Sequence, residues 1–227
     1  MNIRKVQYTK YSCDYIIVIF YFALTILFQS DYSDKVLAKL YNNALFWNKY
    51  FELIFYGCLM MIFVIVYKKY ILDCIKCLKK DYFKYVVFSI GFIILTMVTS
   101  AIILSSIGVG ESNNQEIINK NMSGNALITY IVVVFIGPFV EEMVFRKSIY
   151  SIIKNSIGIQ CAVIVSSLIF AIYHCKISDF LNFDVMQLLT IIPIFFMGIG
   201  LAYVQKKTSN ILYPVFEHMI INCISIS

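Results

Sequence analysis

Charge is scarce in this chain. Of 227 residues only 14% are Asp, Glu, Lys or Arg and only two are His, against 60% hydrophobic residues. An ordinary soluble domain carries about a quarter charged residues. So little charge, with a mean hydropathy of +0.80, excludes a water-soluble globular enzyme and a disordered tail, and places the chain in a lipid bilayer. Also lacking are an internal repeat, a Gly-x-x-x-Gly pair, a phosphate-binding glycine loop and a His-Glu-x-x-His pair. The seven cysteines are odd in number and sit mostly in apolar runs, where Cys behaves as a small hydrophobe, so no disulfide framework follows. Cys74-x-x-Cys77 has no second pair and lies in a lysine-rich loop, which reads as neither a redox nor a zinc motif.

What the sequence does have is long apolar runs, at about 12–29, 51–67, 85–107, 126–145, 157–174, 185–204 and 211–226. A spanning helix needs about twenty such residues, so the expected fold is one all-α transmembrane bundle of about seven spans. The polar stretch Gly108–Gly124 reads as a long outer loop. It divides a three-helix front half (1–107) from a four-helix back half (125–227) expected to carry the chemistry. The first run follows Arg4, Lys5 and Lys10 like a signal peptide, but Phe28-Gln29-Ser30-Asp31 offers no small-x-small cleavage site, so the run is read as a retained helix.

With the N-terminus cytoplasmic, the inner segments hold Arg4, Lys5, Lys10, Lys68, Lys69, Lys76, Lys79, Lys80, Lys84, Arg146, Lys147, Lys154, Lys206 and Lys207. The outer ones hold Lys35, Lys39, Lys49, Lys120 and Lys176. That asymmetry is the one expected when basic loops stay inside. The formal charge of +6 therefore reports topology and an anionic inner leaflet under the 68–84 loop, not a nucleic-acid partner.

A carboxylate at mid-membrane costs about 2.5–3.5 kcal/mol, so acids within the runs are informative. Asp14 and Glu52 fall at run ends, where solvated flanks are expected. The exception is Gly137-Pro138-Phe139-Val140-Glu141-Glu142-Met143-Val144-Phe145-Arg146. Residues four apart share a helix face, so Glu142 can pair with Arg146 while Glu141 points elsewhere. Glu141 is then free to act as a general base, unless both acids form a solvated helix end. Both histidines extend the pattern: His174 closes the fifth run, and His218 lies in the last with Asn222 one turn on.

Helix rise tests whether these groups can meet. With turns near Ser156 and Thr208, Glu141, His174, His218 and Asn222 lie ~22, ~27, ~15 and ~21 Å above their turns, hence within ~12 Å in depth. A carboxylate, two imidazoles and an amide around a wet pocket suit amide hydrolysis. Glu141 would accept a proton from water, His174 would orient that water, and His218 with Asn222 would donate to the oxyanion. Alternatively, Glu141, His174 and His218 could ligate zinc, with water in the fourth position.

Glu141-Glu142-x-x-x-Arg146, then Phe170-x-x-x-His174, then His218-x-x-x-Asn222 resemble the signature of the CAAX protease and bacteriocin-processing (Abi) family of intramembrane proteases. The stretch from Gly198 through Pro214 to His218 is similar to the family's approach to its last motif. The resemblance covers about Asn125 to Asn222; the first three helices match only in being hydrophobic. It implies peptide-bond cleavage in or beside the membrane, with Glu141, His174 and His218 catalytic, Asn222 supporting them, and a divalent metal such as zinc left open.

Composition rich in Ile, Lys, Asn and Tyr suggests an AT-rich bacterial genome and a plasma-membrane location. The expected activity is that of an intramembrane endopeptidase on a small secreted or membrane-associated peptide or protein, such as a bacteriocin or signalling precursor. A non-catalytic bacteriocin-immunity or regulatory protein on the same fold is the alternative. A proton-relaying transporter is disfavoured by the lack of inverted repeats.

Overall fold

In the hydrocarbon layer no water satisfies backbone N–H and C=O groups, so a chain this apolar must close those bonds within itself. The computed structural model describes residues 11–29, 44–110, 112–176, 179 and 182–226, and among them every regular element is helical. Arg4, Lys5, Lys10, Lys35, Lys39, the Ser30-Asp31 part of the rejected cleavage site and Glu111 lie outside the described residues.

Helix α1 (Tyr11–Gln29) is followed by α2 (Ala44–Val66) and a short α3 (Lys68–Lys76). The chain bends by 77° between α2 and α3. A 3-10 turn at Lys80–Tyr82 leads into α4 (Phe83–Ser106). Next comes a composite rod: α5 (Asn113–Tyr130), a π segment (Ile131–Ile136), α6 (Gly137–Glu142), a second π segment (Met143–Ile149) and α7 (Tyr150–Ile157). Helix α8 (Ile159–Tyr173), a single turn α9 (Val185–Leu189), α10 (Ile191–Thr208) and α11 (Leu212–Ile226) complete the bundle.

Each expected apolar run is helical, but the spans are unequal. Lys80–Ser106, Gln115–Ile157 and Val185–Thr208 are long and apolar enough to cross a bilayer, with Tyr50–Val66 plus Lys68–Lys76 a fourth if the bent pair counts as one. Cys13–Ile26, Ile159–Tyr173 and Leu212–Ile226 are shorter apolar helices.

Two expectations are corrected. Gly108–Gly124 is not an outer loop throughout: Ser112 caps a helix by accepting from the Gln115 N–H at 3.2 Å. The polar residues that suggested a loop therefore form a helix, interrupted at Asn125 (φ −160°, ψ 66°). Asp14 is not a solvated flank. It is buried, and its carboxylate accepts from Lys147 Nζ at 2.9 and 3.1 Å and from the Tyr67 hydroxyl. A charge pair closes across α1 and the second π segment because neither partner has water to turn to.

The turns fall close to where helix arithmetic placed them. Gly158 joins α7 to α8 at φ +98°, a conformation open to glycine. Ser209, at φ 51°, and Asn210 join α10 to α11, the Asn210 side chain donating to the Cys74 carbonyl at 2.8 Å. Helix α10 packs closely on two neighbours: a Cβ at Gly198 would lie 3.0 Å from Ser167 Cβ, and one at Gly200 2.6 Å from Ile93 Cδ1.

Contacts gather the lysine-rich segments at one end. The Lys79 N–H donates to the Tyr213 hydroxyl at 2.6 Å, Asn210 reaches Cys74, and Lys147 sits 4.7 and 5.3 Å over the rings of Tyr67 and Tyr70. Helices α4, α10 and α11 have their far ends, near Ser106, Thr190 and Ile226, at the opposite end of the bundle.

Candidate active site

The site begins with Gly137-Pro138. Proline has no N–H and its ring crowds the carbonyl four residues back, so an ordinary α-helix cannot run through it unchanged. The chain widens instead: the Gly137 N–H donates five residues back, to the Val132 carbonyl. A Cβ at position 137 would lie 3.0 Å from that oxygen. In the same register Pro138 would donate to the Val133 carbonyl but has no proton to give, and Asn222 Nδ2 fills the vacancy from α11 at 2.8 Å. π segments recur at functional sites; two of them bracket Glu141 and Glu142 here. After the second, the Tyr150 N–H again reaches five residues back, to Phe145, and the Ser148 hydroxyl donates to the Met143 carbonyl at 3.2 Å.

Glu142 is fully buried and lies 3.2 Å from Arg146 Nε, as the spacing implied. Arg146 is equally buried, donates to the Gly198 carbonyl at 3.3 Å, and stacks 4.5 Å over the Phe170 ring. The second oxygen of Glu142 lies 2.9 Å from His218 Nδ1. Since Glu142 is the counter-ion of Arg146, the imidazole is the donor, and in the neutral ring Nε2 is left as an acceptor. His174 is fixed in the same way: its Nδ1 lies 2.8 Å from the Phe170 carbonyl, which can only accept, so its Nε2 is also an acceptor. Phe170 supports both rings, with centroids 4.6 Å from His174 and 5.8 Å from His218.

Both Nε2 atoms converge on Glu141. Its Oε2 lies 3.9 Å from His174 Nε2 and 3.8 Å from His218 Nε2. These separations are too long for direct hydrogen bonds, and three acceptors cannot bond one another. A water molecule has two protons and could donate to two of these three acceptors at a time. The chemistry of one carboxylate and two imidazoles is also one that zinc accepts. Among the described residues, however, no group of three or more His, Cys, Asp or Glu side chains is arranged to hold a metal ion.

Glu141, His174, His218 and Asn222 all line a cavity of about 630 Å³. Its wall extends from the site toward the ends of α4, α5 and α11 away from the lysine-rich face, reaching Ser105, Gly110, Gln115 and Ser225. The four residues singled out in the sequence thus lie on one wall, but Asn222, expected as an oxyanion donor, also donates to the Val133 carbonyl.

Three features went unread. Glu52, expected to be a solvated flank, lines this cavity and accepts from Asn121 Nδ2 at 2.9 Å. Tyr56, one turn along α2, lines it as well and interacts with Tyr173, whose hydroxyl accepts from Tyr21 at 2.7 Å. Glu217 is fully buried; its place beside His218 in an apolar run was the available signal.

Fold and site together define a helical membrane protein with an acid–imidazole centre in its interior. Residues 123–224 match the family model described as type II CAAX prenyl endopeptidase Rce1-like. This match takes in just under half of the chain and makes it similar to the CAAX protease and bacteriocin-processing family of membrane proteases. It is 29% identical over 116 residues to a Bacillus subtilis (strain 168) protein named "Putative membrane peptidase YdiL", a match covering 51% of this chain and 43% of that one. An uncharacterized protein of Mycoplasma capricolum subsp. capricolum is 27% identical over 151 residues, covering 63% of this chain and 41% of its own length. The matched regions thus span under half the length of these curated relatives. No solved structure matches the chain.

Proposed function

We propose that the protein is an intramembrane endopeptidase that hydrolyses a peptide bond in a small membrane-associated or secreted peptide or protein precursor, in a bacterial plasma membrane with the lysine-rich end in the cytoplasm. The observation that carries this reading is the convergence of Glu141 Oε2 and the two Nε2 atoms, 3.8 and 3.9 Å apart, on one water-sized position in a cavity wall.

In the proposed reaction a water donates one proton to Glu141 and its other hydrogen bond to the Nε2 lone pair of His174 or His218. The water oxygen forms the new C–O bond at the substrate carbonyl. As the C–N bond breaks, the proton on Glu141 passes to the leaving nitrogen. An amide carries two N–H donors, so Asn222 keeps one for Val133 and has the other for the developing oxyanion. Glu142 and Arg146 act through His218: their pair keeps its Nδ1 protonated and its Nε2 unprotonated. The likeness to the Rce1-like family model, and to a relative named as a membrane peptidase, supports this reading.

The test uses the purified protein in liposomes with a pool of quenched apolar peptides in ¹⁸O-water. Expected is cleavage that places one ¹⁸O in the new carboxyl terminus of the N-terminal fragment, and none in the other fragment. Peptides bound but left whole, with or without added zinc, would instead favour a binding or immunity role.

A further inference from the structure

The cavity wall is uneven in charge. Most of it is apolar, with Met97, Leu104, Ile118 and Met197 among its lining. Its acids are Glu141 at the site and Glu52 on α2, and no Lys or Arg is among the described lining residues. Glu52 is half-buried and accepts one hydrogen bond, from Asn121 on α5. A carboxylate offers about four acceptor positions, and among the described residues none of the ion pairs formed includes Glu52. A carboxylate in an apolar wall is costly unless a cation or further donors reach it.

From these observations we infer that Glu52 is a specificity-determining residue, and that the cavity takes an extended apolar peptide segment carrying one basic side chain. This rests on the proposed peptidase reading and names its substrate class. Position follows from the fold. Tyr56, one helical turn from Glu52 on α2, lines the same cavity as Glu52 and Glu141, so one bound segment can meet both carboxylates. Glu52 lies near the start of α2, whose other end leads to Lys68 and Lys69, so the basic residue is met toward the end of the bundle opposite the lysines.

The test is binding, which does not depend on turnover. The purified protein in nanodiscs is titrated with fluorophore-labelled apolar dodecapeptides that differ only in one residue, Lys, Gln or Glu. Expected is binding of the Lys peptide tighter than that of the Gln peptide by about tenfold, the effect of one charge-assisted hydrogen bond, with the Glu peptide weakest. Glu52→Gln should abolish the difference, and Asn121→Lys, which places a fixed cation beside Glu52, should do the same by a second route. Equal binding of Lys and Gln peptides to the wild-type protein, or an unchanged Lys preference in folded Glu52→Gln, overturns the inference. Lys-selective binding without cleavage leaves it standing and removes the peptidase reading alone.

Discussion

Arg146 is the most consequential single residue outside the reacting atoms. It is buried without exposure, neutralises Glu142, rests on Phe170 and ties to the Gly198 carbonyl. Arg146→Ala leaves Glu142 as an uncompensated buried charge, a loss of about 3–5 kcal/mol. Its expected outcome is a lower unfolding temperature in detergent together with lost cleavage. Arg146→Lys should recover part of the stability but little of the activity, because an ammonium cannot reproduce the planar stack and fork. This pair was legible because an i, i+4 spacing is a local statement. The neighbouring Lys147 was not: its partner, Asp14, is 133 residues away, and only the packing of α1 against the rod reveals it. Glu52 was misread for a related reason, since a position near the end of an apolar run does not say whether water or a cavity lies beside it.

At the scale of elements, the two π segments do what hydrophobic periodicity cannot report. The apolar run at 126–145 was visible as a span, and Gly137-Pro138 was visible as a dipeptide. The i−5 register that joins them, and the Val133 carbonyl it orphans, appear only in three dimensions. Asn222→Ala should destabilise by about 1–3 kcal/mol, because it leaves that carbonyl without a donor in a water-poor setting. Pro138→Ala restores an N–H at position 138. In that background Asn222→Ala should therefore lose most of its effect on stability, and a double-mutant cycle on urea or thermal unfolding measures the coupling. Additive effects would mean that Asn222 does not serve the helix. Cleavage by the double variant separates the two roles of Asn222: stability returns, while any oxyanion contribution stays lost. The helical start at Ser112 was missed for a simpler reason, since a polar composition reads as a loop whether or not a cap begins a helix there.

For the whole molecule, the chain order of apolar runs and lysine clusters was enough to expect an all-helical membrane bundle, and helix rise alone put Glu141, His174, His218 and Asn222 at one depth. What rise could not give was the direction from which the site is reached. The cavity wall runs toward Ser105 and Ser112, away from Lys79, Lys147 and Lys206. In intact cells, a membrane-impermeant thiol reagent should label Ser112→Cys and spare Lys206→Cys, both in a cysteine-free background. Labelling of the second alone would reverse the orientation and put the mouth of the cavity in the cytoplasm.

The centre itself is tested by Glu141→Gln, which keeps the volume of the side chain, removes the base and puts a donor amide where the water's proton should go. Unfolding temperature and peptide binding should stay close to wild type, while single-turnover cleavage falls by about 10²–10⁴-fold. A folded, peptide-binding Glu141→Gln protein that cuts within a few-fold of the wild-type rate would contradict a water held between Glu141, His174 and His218.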